Sequence, residues 1–395
     1  MPSALPDGEP ASVDGSIPTT LSGTGLGFYV HVPFCSVRCG YCDFNTYTAT
    51  ELGPGISQST YAAQAISEID LARSILGPAT VDTVFFGGGT PTLLPAADLV
   101  AMLGAIRDRF GLAPDVEVTT EANPDSVTLE SLRALRTGGF NRISFGMQSA
   151  VPHVLRILDR THNPAGVPQA VVWAREAGFE QVSLDLIYGT PGESMADWET
   201  SLAAALACNP DHISAYSLIV EDGTALARRV RRGEVPMPDE DDFADKYEVA
   251  DRMLRGRGFD WYEVSNWSAS ADAQCRHNLL YWQGGDWWGV GPGAHSHVNG
   301  TRWWNVKHPA TYAAKLAAGE SPAAAREVLT DEDRRIERVL LELRLSDGMP
   351  ARVIGDDSRI EDQVSRGLLR REGDRVVLTE AGRLLADGVV RDLLD

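Results

Sequence analysis

Between residues 23 and 225 the chain alternates short β-rich runs with helical stretches, and this alternation constrains the fold more than any other feature. Gly27–His31, Val81–Phe86, Val116–Glu121, Arg142–Phe145, Gln181–Leu186 and His212–Leu218 are rich in β-branched and aromatic residues and predict strands. The stretches between them, Tyr61–Leu76, Pro95–Phe110, Leu129–Thr137, Pro164–Ala177 and Met195–Ala207, predict helices, with glycines closing two of them at 138–139 and 178. Strands joined through helices pair in parallel, so the expectation is an α/β fold, a partial (β/α)6 barrel. Residues able to do chemistry cluster just after the strands, at the rim where such barrels place their sites.

The flanks read differently. Residues 1–22 are rich in Pro, Ser and Gly with no periodic apolar face, and read as a disordered tail. Residues 226–324 hold most of the tryptophans and the run GGDWWGVGPGAH, and suggest an extension packed on the barrel. Residues 325–395 run helix, helix, hairpin, helix and suggest a small winged-helix-like domain. That segment has 13 Arg and no Lys against 17 Asp and Glu, which disfavours DNA. The net charge of −20 likewise argues against nucleic acid as a partner, since phosphate binding needs clustered cations. No segment approaches 18 consecutive apolar residues and no secretory signal pattern opens the chain, so neither a membrane span nor export is expected, and the address is cytoplasmic.

Three of the five cysteines, Cys35, Cys39 and Cys42, fall within eight residues directly after the first predicted strand. A CxxxCxxC loop can wrap a compact inorganic core, and thiolates suit both iron–sulfur clusters and zinc. Structural zinc wants four ligands, and position 44, where a further cysteine would complete a CxC step, is Phe44. Three thiolates on a four-iron cubane leave one iron open to an amine and carboxylate. Cys208 and Cys275 are isolated and read as small buried hydrophobes.

The array CxxxCxxC with Tyr41 just before the last cysteine, the runs YVHVPFC and GYCDF, and GGGTPT at 87–92 are similar to the radical S-adenosylmethionine (SAM) superfamily. Within it the chain resembles the anaerobic coproporphyrinogen III oxidase family, the branch that holds oxygen-independent coproporphyrinogen III dehydrogenase and its heme-chaperone relatives. The resemblance extends from Gly27 to the C-terminus. It implies a [4Fe–4S] cluster on Cys35, Cys39 and Cys42 with SAM on its open iron.

Gly88, Gly89 and Thr90 follow a strand, where glycines let a backbone approach a ligand closely; alone they could equally be a turn. The resemblance implies that they meet the methionine amine of SAM, and that Glu121 accepts from its amine or ribose. It also implies that Gln148, Arg160 and Asp185 line the cofactor region, where the dehydrogenases have a second SAM position. Tyr29 and Tyr41 are either beside the cofactor or core aromatics.

Two functions compete: a dehydrogenase acting on porphyrinogen propionates, and a heme chaperone that hands heme to an acceptor protein. The dehydrogenases resemble CxxxCxxCxC and carry a longer N-terminal arm; this chain has Phe44, and 34 residues before Cys35. The segment Arg276–Trp282 (RHNLLYW) contains HNxxYW, a motif of the chaperone group. His277 there could ligate heme iron or belong to a structural His–Trp cluster; ligation is the expectation. His295 and His297 are expected to be structural. The chaperone is the favoured reading, with a homodimer through the cluster region compatible with it.

Overall fold

The computed structural model describes residues 7–49, 51 and 58–394. The strands are β1 (Glu9–Pro10), β2 (Leu26–Val32), β3 (Val81–Gly88), β4 (Leu112–Ala122), β5 (Arg142–Gln148), β6 (Gln181–Tyr188), β7 (His212–Ser217), β8 (Asp260–Glu263), β9 (Asn266–Ser268), β10 (Asp286–Val290), β11 (His295–Val298), β12 (Thr301–Asn305) and β13 (Ala323–Val328). They form one sheet in which β2 to β7 are neighbours in sequence order, all parallel. The helices α1 (Gln58–Leu76), α2 (Ala96–Phe110), α3 (Leu129–Thr137), α4 (Pro152–Ile157), α5 (Val167–Ala177) and α6 (Met195–Ala207) lie between these strands in the chain. The predicted six-strand α/β unit is therefore present. Thr128 and Ser194 open α3 and α6 with reciprocal capping boxes to Ser131 and Asp197.

The alternation along each strand sorts two environments. Phe28, Val30, Ile143, Phe145, Val182, Leu184 and Ile213 face the helices and belong to the main core. Their neighbours Tyr29, Arg142, Ser144, Ser183, Asp185, His212 and Ser214 line a single cavity instead. Side chains one residue apart point to opposite faces, so the sheet curls around a polar lumen while its outer face is apolar.

At one edge β10 pairs in parallel with β2, and β11, β12 and β13 follow as antiparallel strands; at the other, β9 and β8 follow β7. Between these additions runs α7 (Ala225–Arg231), α8 (Glu240–Arg255) and α9 (Arg276–Trp282). Helix α9 sits beneath the starts of the parallel strands: Arg276 donates to the Asp82 carbonyl and the His277 amide to Glu117 of β4. Its approach needs Gly27, where a Cβ would lie 2.5 Å from Leu280.

The N-terminal segment differs from expectation. Residues 1–6 of the predicted tail lie outside the described residues, but residues 7–22 form an ordered strap. Glu9 and Pro10 pair with Arg326 and Ala325 of β13, Ser321 donates to the Val13 carbonyl at 2.7 Å, and Ala11, Ile17 and Leu21 pack on the core. A strap held at scattered points has neither a helical nor a strand period, so its composition read as disorder.

After α10 (Pro309–Ala317), the C-terminal part runs α11 (Asp331–Glu342), β14 (Met349–Pro350), α12 (Ala351–Ile354), α13 (Asp357–Ser365), β15 (Leu369–Glu372), β16 (Arg375–Leu378), α14 (Glu380–Leu384) and α15 (Ala386–Leu394). The three strands form their own sheet, ordered β14-β16-β15, over a separate apolar core containing Val339, Leu343, Ile360, Val376 and Val389. Helix, strand, two helices and hairpin is the winged-helix order. Among the described residues no helix is long and apolar enough to cross a membrane.

Candidate functional site

The loop after β2 is pinned at both ends. The Cys35 amide donates to the Tyr47 carbonyl at 3.0 Å and the Tyr47 amide to the Pro33 carbonyl at 2.7 Å. His31 bonds the Asn45 carbonyl through Nε2 at 2.9 Å, so that nitrogen carries the proton and Nδ1 accepts from the Tyr29 hydroxyl at 2.9 Å. The Asn45 amide group donates to the carbonyls of Pro292 and Lys307 at 2.9 and 2.8 Å, tying the loop to the extension. Cys35, Cys39 and Cys42 all border the cavity. Burial raises the thiols of Cys35 to about 11 and Cys42 to about 12, so a soft metal centre there displaces protons as it binds.

Among the described residues no three Cys, His, Asp or Glu converge on a single-ion position. Gly89 brings the second strand's end against this loop: a Cβ there would stand 2.4 Å from the Phe34 carbonyl oxygen and 3.0 Å from Cys35 Sγ. The amides of Gly89 and Thr90 donate to Val32 and Phe34, and the Gly88 amide to Glu121 at 3.2 Å.

Glu121 and Asp185 face the lumen from β4 and β6. Burial, then the neighbouring Asp185 charge, raises Glu121 to about 8; burial also raises Asp185, which accepts from Ser144 at 2.8 and 2.9 Å. Two acids in a low-dielectric cavity favour a ligand that brings positive charge and hydroxyl donors. Gln148 ends β5 at φ +61°, a left-handed conformation costly for a non-glycine residue and characteristic of functional positions. Arg160 donates to Asn123 Oδ1 and the Gly146 carbonyl, both at 2.7 Å, and lies 3.6 Å from Cys39 Sγ. The cavity, about 670 Å³, is thus bordered by Cys35, Cys39, Cys42, Tyr29, Tyr41, Gly88, Gly89, Thr90, Glu121, Gln148, Arg160 and Asp185.

His277 lies on α9, outside the cavity lining. It is 1% exposed, its Nδ1 pairs with Thr83 Oγ1 at 2.8 Å and its Nε2 with the Tyr281 hydroxyl at 2.8 Å. Both ring nitrogens are thus engaged by hydroxyls. The ring also belongs to an aromatic ladder: Tyr29 stacks on Phe85, Phe85 on His277, and Tyr281 meets Trp287 edge-on. Asn278 and Tyr281 of the same motif do border the cavity. His297 is structural, bonded to the Gly285 carbonyl and the Gly300 amide.

The sequence reading did not single out Asn123, His31, Asn45, Arg142 or His162. Asn123 could have been found as the residue two past Glu121, just beyond the end of β4. Arg142, a cation opening an apolar strand, also carried a signal. Asn45 carried none, because its partners are 247 and 262 residues away.

Residues 29–205 match the model of the radical SAM superfamily. The chain is 51% identical over 387 residues to the heme chaperone HemW of Mycobacterium tuberculosis, covering 98% of each chain. It is 33% identical to the heme chaperone HemW of Bacillus subtilis, covering 91% of this chain and 97% of that one. The structure of coproporphyrinogen III oxidase (HemN) from Escherichia coli superposes with a TM-score of 0.80 at 23% identity, over 93% of this chain and 90% of that one; this likeness is one of fold.

Proposed function

We propose that the chain, which belongs to the HemW family of the radical SAM superfamily, is a heme chaperone that binds heme and passes it to an acceptor protein. The observation that carries this reading is the near-full-length identity with HemW proteins. Phe44 adds support: it stands where the dehydrogenase pattern has a further cysteine, and it is 58% exposed at the cavity mouth.

Cys35, Cys39 and Cys42 would hold a [4Fe–4S] cluster. SAM would lie against Gly88, Gly89, Thr90 and Glu121, with Gln148, Arg160 and Asp185 along the opposite side. The fit rests on chemistry: buried thiols for iron, and an acid-lined lumen for a ligand with a sulfonium, an amine and ribose hydroxyls. When bound, this pair supplies one-electron chemistry. The protein's own part is positioning. His31 and Asn45 fix the cysteine loop, and Arg160 sets a cation beside Cys39. Free thiols suit a reducing compartment, in keeping with work in the cytoplasm.

Anaerobic reconstitution should give about four irons per chain, and Cys42→Ala should fall well below that. Hemin titration and coproporphyrinogen III turnover measured side by side decide the function. Saturable one-to-one hemin binding without turnover supports the chaperone; turnover overturns it in favour of the dehydrogenase.

A further inference from the structure

We propose that Thr46 is a positioning residue for the iron–sulfur cluster, its hydroxyl donating to the Cys35 thiolate and holding the cluster's reduction potential up; the inference rests on the cluster reading above. Thr46 is fully buried, and its hydroxyl has no oxygen or nitrogen partner. Leaving a buried polar group unpaired is costly and calls for a specific explanation. The acceptor it has is the Cys35 sulfur, and that bond favours the ionised form of the thiol. A hydrogen bond to an ionised acceptor is stronger than a neutral one, so the bond gains strength once Cys35 gives up its proton to a metal centre.

The loop holds Thr46 from both sides. Asn45 is tied to the carbonyls of Pro292 and Lys307, and the Tyr47 amide donates to the Pro33 carbonyl. The Thr46 amide closes a turn onto the Phe44 carbonyl at 2.7 Å. Phe34 and Tyr47 form a parallel bridge, which sets this stretch alongside Cys35. The hydroxyl is therefore placed by backbone that cannot easily drift.

Each of the three cysteines has a donor of its own. Cys39 has Arg160 Nη1 at 3.6 Å, Cys42 has the Phe44 amide, and Cys35 has the hydroxyls of Thr46 and Thr90. The Thr90 oxygen accepts from the Asn123 side chain at 3.2 Å, which leaves its proton for the sulfur. Arg160, Phe44 and Thr90 belong to the cavity lining and Thr46 does not. Among these donors, the Thr46 side chain serves the cysteine loop alone. Hydrogen bonds to the sulfurs are one of the levers that set the potential of such a cluster. They spread the negative charge that reduction adds, so they stabilise the reduced form more than the oxidised one. The couple takes up one electron, and Thr46 keeps its proton.

Full-length protein, reconstituted anaerobically, is titrated with dithionite through redox mediators, and the reduced cluster is followed by electron paramagnetic resonance. Thr46→Val exchanges the hydroxyl for a methyl of similar size. At a fixed potential its ratio of reduced to oxidised cluster should fall about tenfold, a downward shift of about 59 mV for one electron. Thr46→Ser keeps the hydroxyl and should return the potential to that of the wild type. Iron content and SAM affinity should match the wild type in both variants. A merely structural threonine would change stability and leave the potential where it was. A Thr46→Val protein with full iron and the wild-type potential overturns the assignment, as does a Thr46→Ser protein that behaves like the valine variant. Should the valine variant lose iron, Thr46→Ala removes the hydroxyl without adding bulk and must show the same downward shift. Iron lost from the valine and alanine variants alike overturns the assignment in favour of a residue that only builds the loop. Wild-type protein that takes up no cluster overturns the cluster reading itself, an outcome distinct from these.

Discussion

Arg160 joins three parts of the cavity wall, through Asn123 after β4, the Gly146 carbonyl on β5 and Cys39 on the cysteine loop. Hydrogen bonds to a charged donor are worth more than neutral ones, about 1.5–3 kcal/mol. Arg160→Ala is therefore expected to weaken SAM binding by about tenfold or more, measured by equilibrium binding on reconstituted protein with its iron content checked in parallel. His277 behaves in the opposite way. Its removal leaves the Thr83 and Tyr281 hydroxyls without their partner and opens a void under the barrel. His277→Ala should cost about 2–4 kcal/mol of stability by chemical denaturation. Spacing disclosed Cys35, Cys39 and Cys42, because one short loop carries all three. It could not disclose that His277 is spent on neighbours, because Thr83 lies 194 residues away.

At the scale of elements, a fully buried carboxylate, Glu68 of α1, joins the barrel to its added strands. It accepts from the Tyr312 hydroxyl at 2.5 Å, the Gly291 amide at 2.8 Å and the Asn305 side chain at 2.7 Å. Burial outweighs these bonds and raises it from 4.5 to about 7. The folded chain then keeps a proton that the unfolded chain has released, so stability falls as the pH rises from about 5 to about 7. The ceiling on that loss is about 3 kcal/mol. Glu68→Gln should flatten this slope, read from denaturation midpoints across that range. Asn45 ties the cysteine loop to the same strands; Asn45→Ala is expected to speed the loss of cluster absorbance in air while leaving the folded fraction unchanged. The parallel strands and their helices were legible because each has its own period. The strap over residues 7–22 was not, since its contacts with β13 and the core are all long-range.

At the scale of the molecule, the C-terminal unit has its own core and is fastened to α8 by the buried Arg383 and by an outer Arg255–Glu380 pair. Arg383 pairs with both oxygens of Asp251, at 3.2 and 3.1 Å, and its guanidinium lies 4.6 Å above the Trp261 ring. Breaking one side of such a pair leaves an uncompensated charge, at about 3–5 kcal/mol. Arg383→Ala should make the C-terminal unit unfold or release before the barrel, seen as a split denaturation transition and earlier proteolysis beyond residue 325.

The sequence by itself determined the superfamily, the three-cysteine loop, the order of parallel strands and the departure at Phe44. Each depends on residues near one another in the chain, where period and spacing carry the information. Only the tertiary structure decided which polar groups are free. The HNxxYW histidine is bonded at both nitrogens, to Thr83 and Tyr281, while Asn278 and Tyr281 of the same motif border the cavity. A side chain's availability depends on what distant segments bring against it, and that is a property of the folded chain alone.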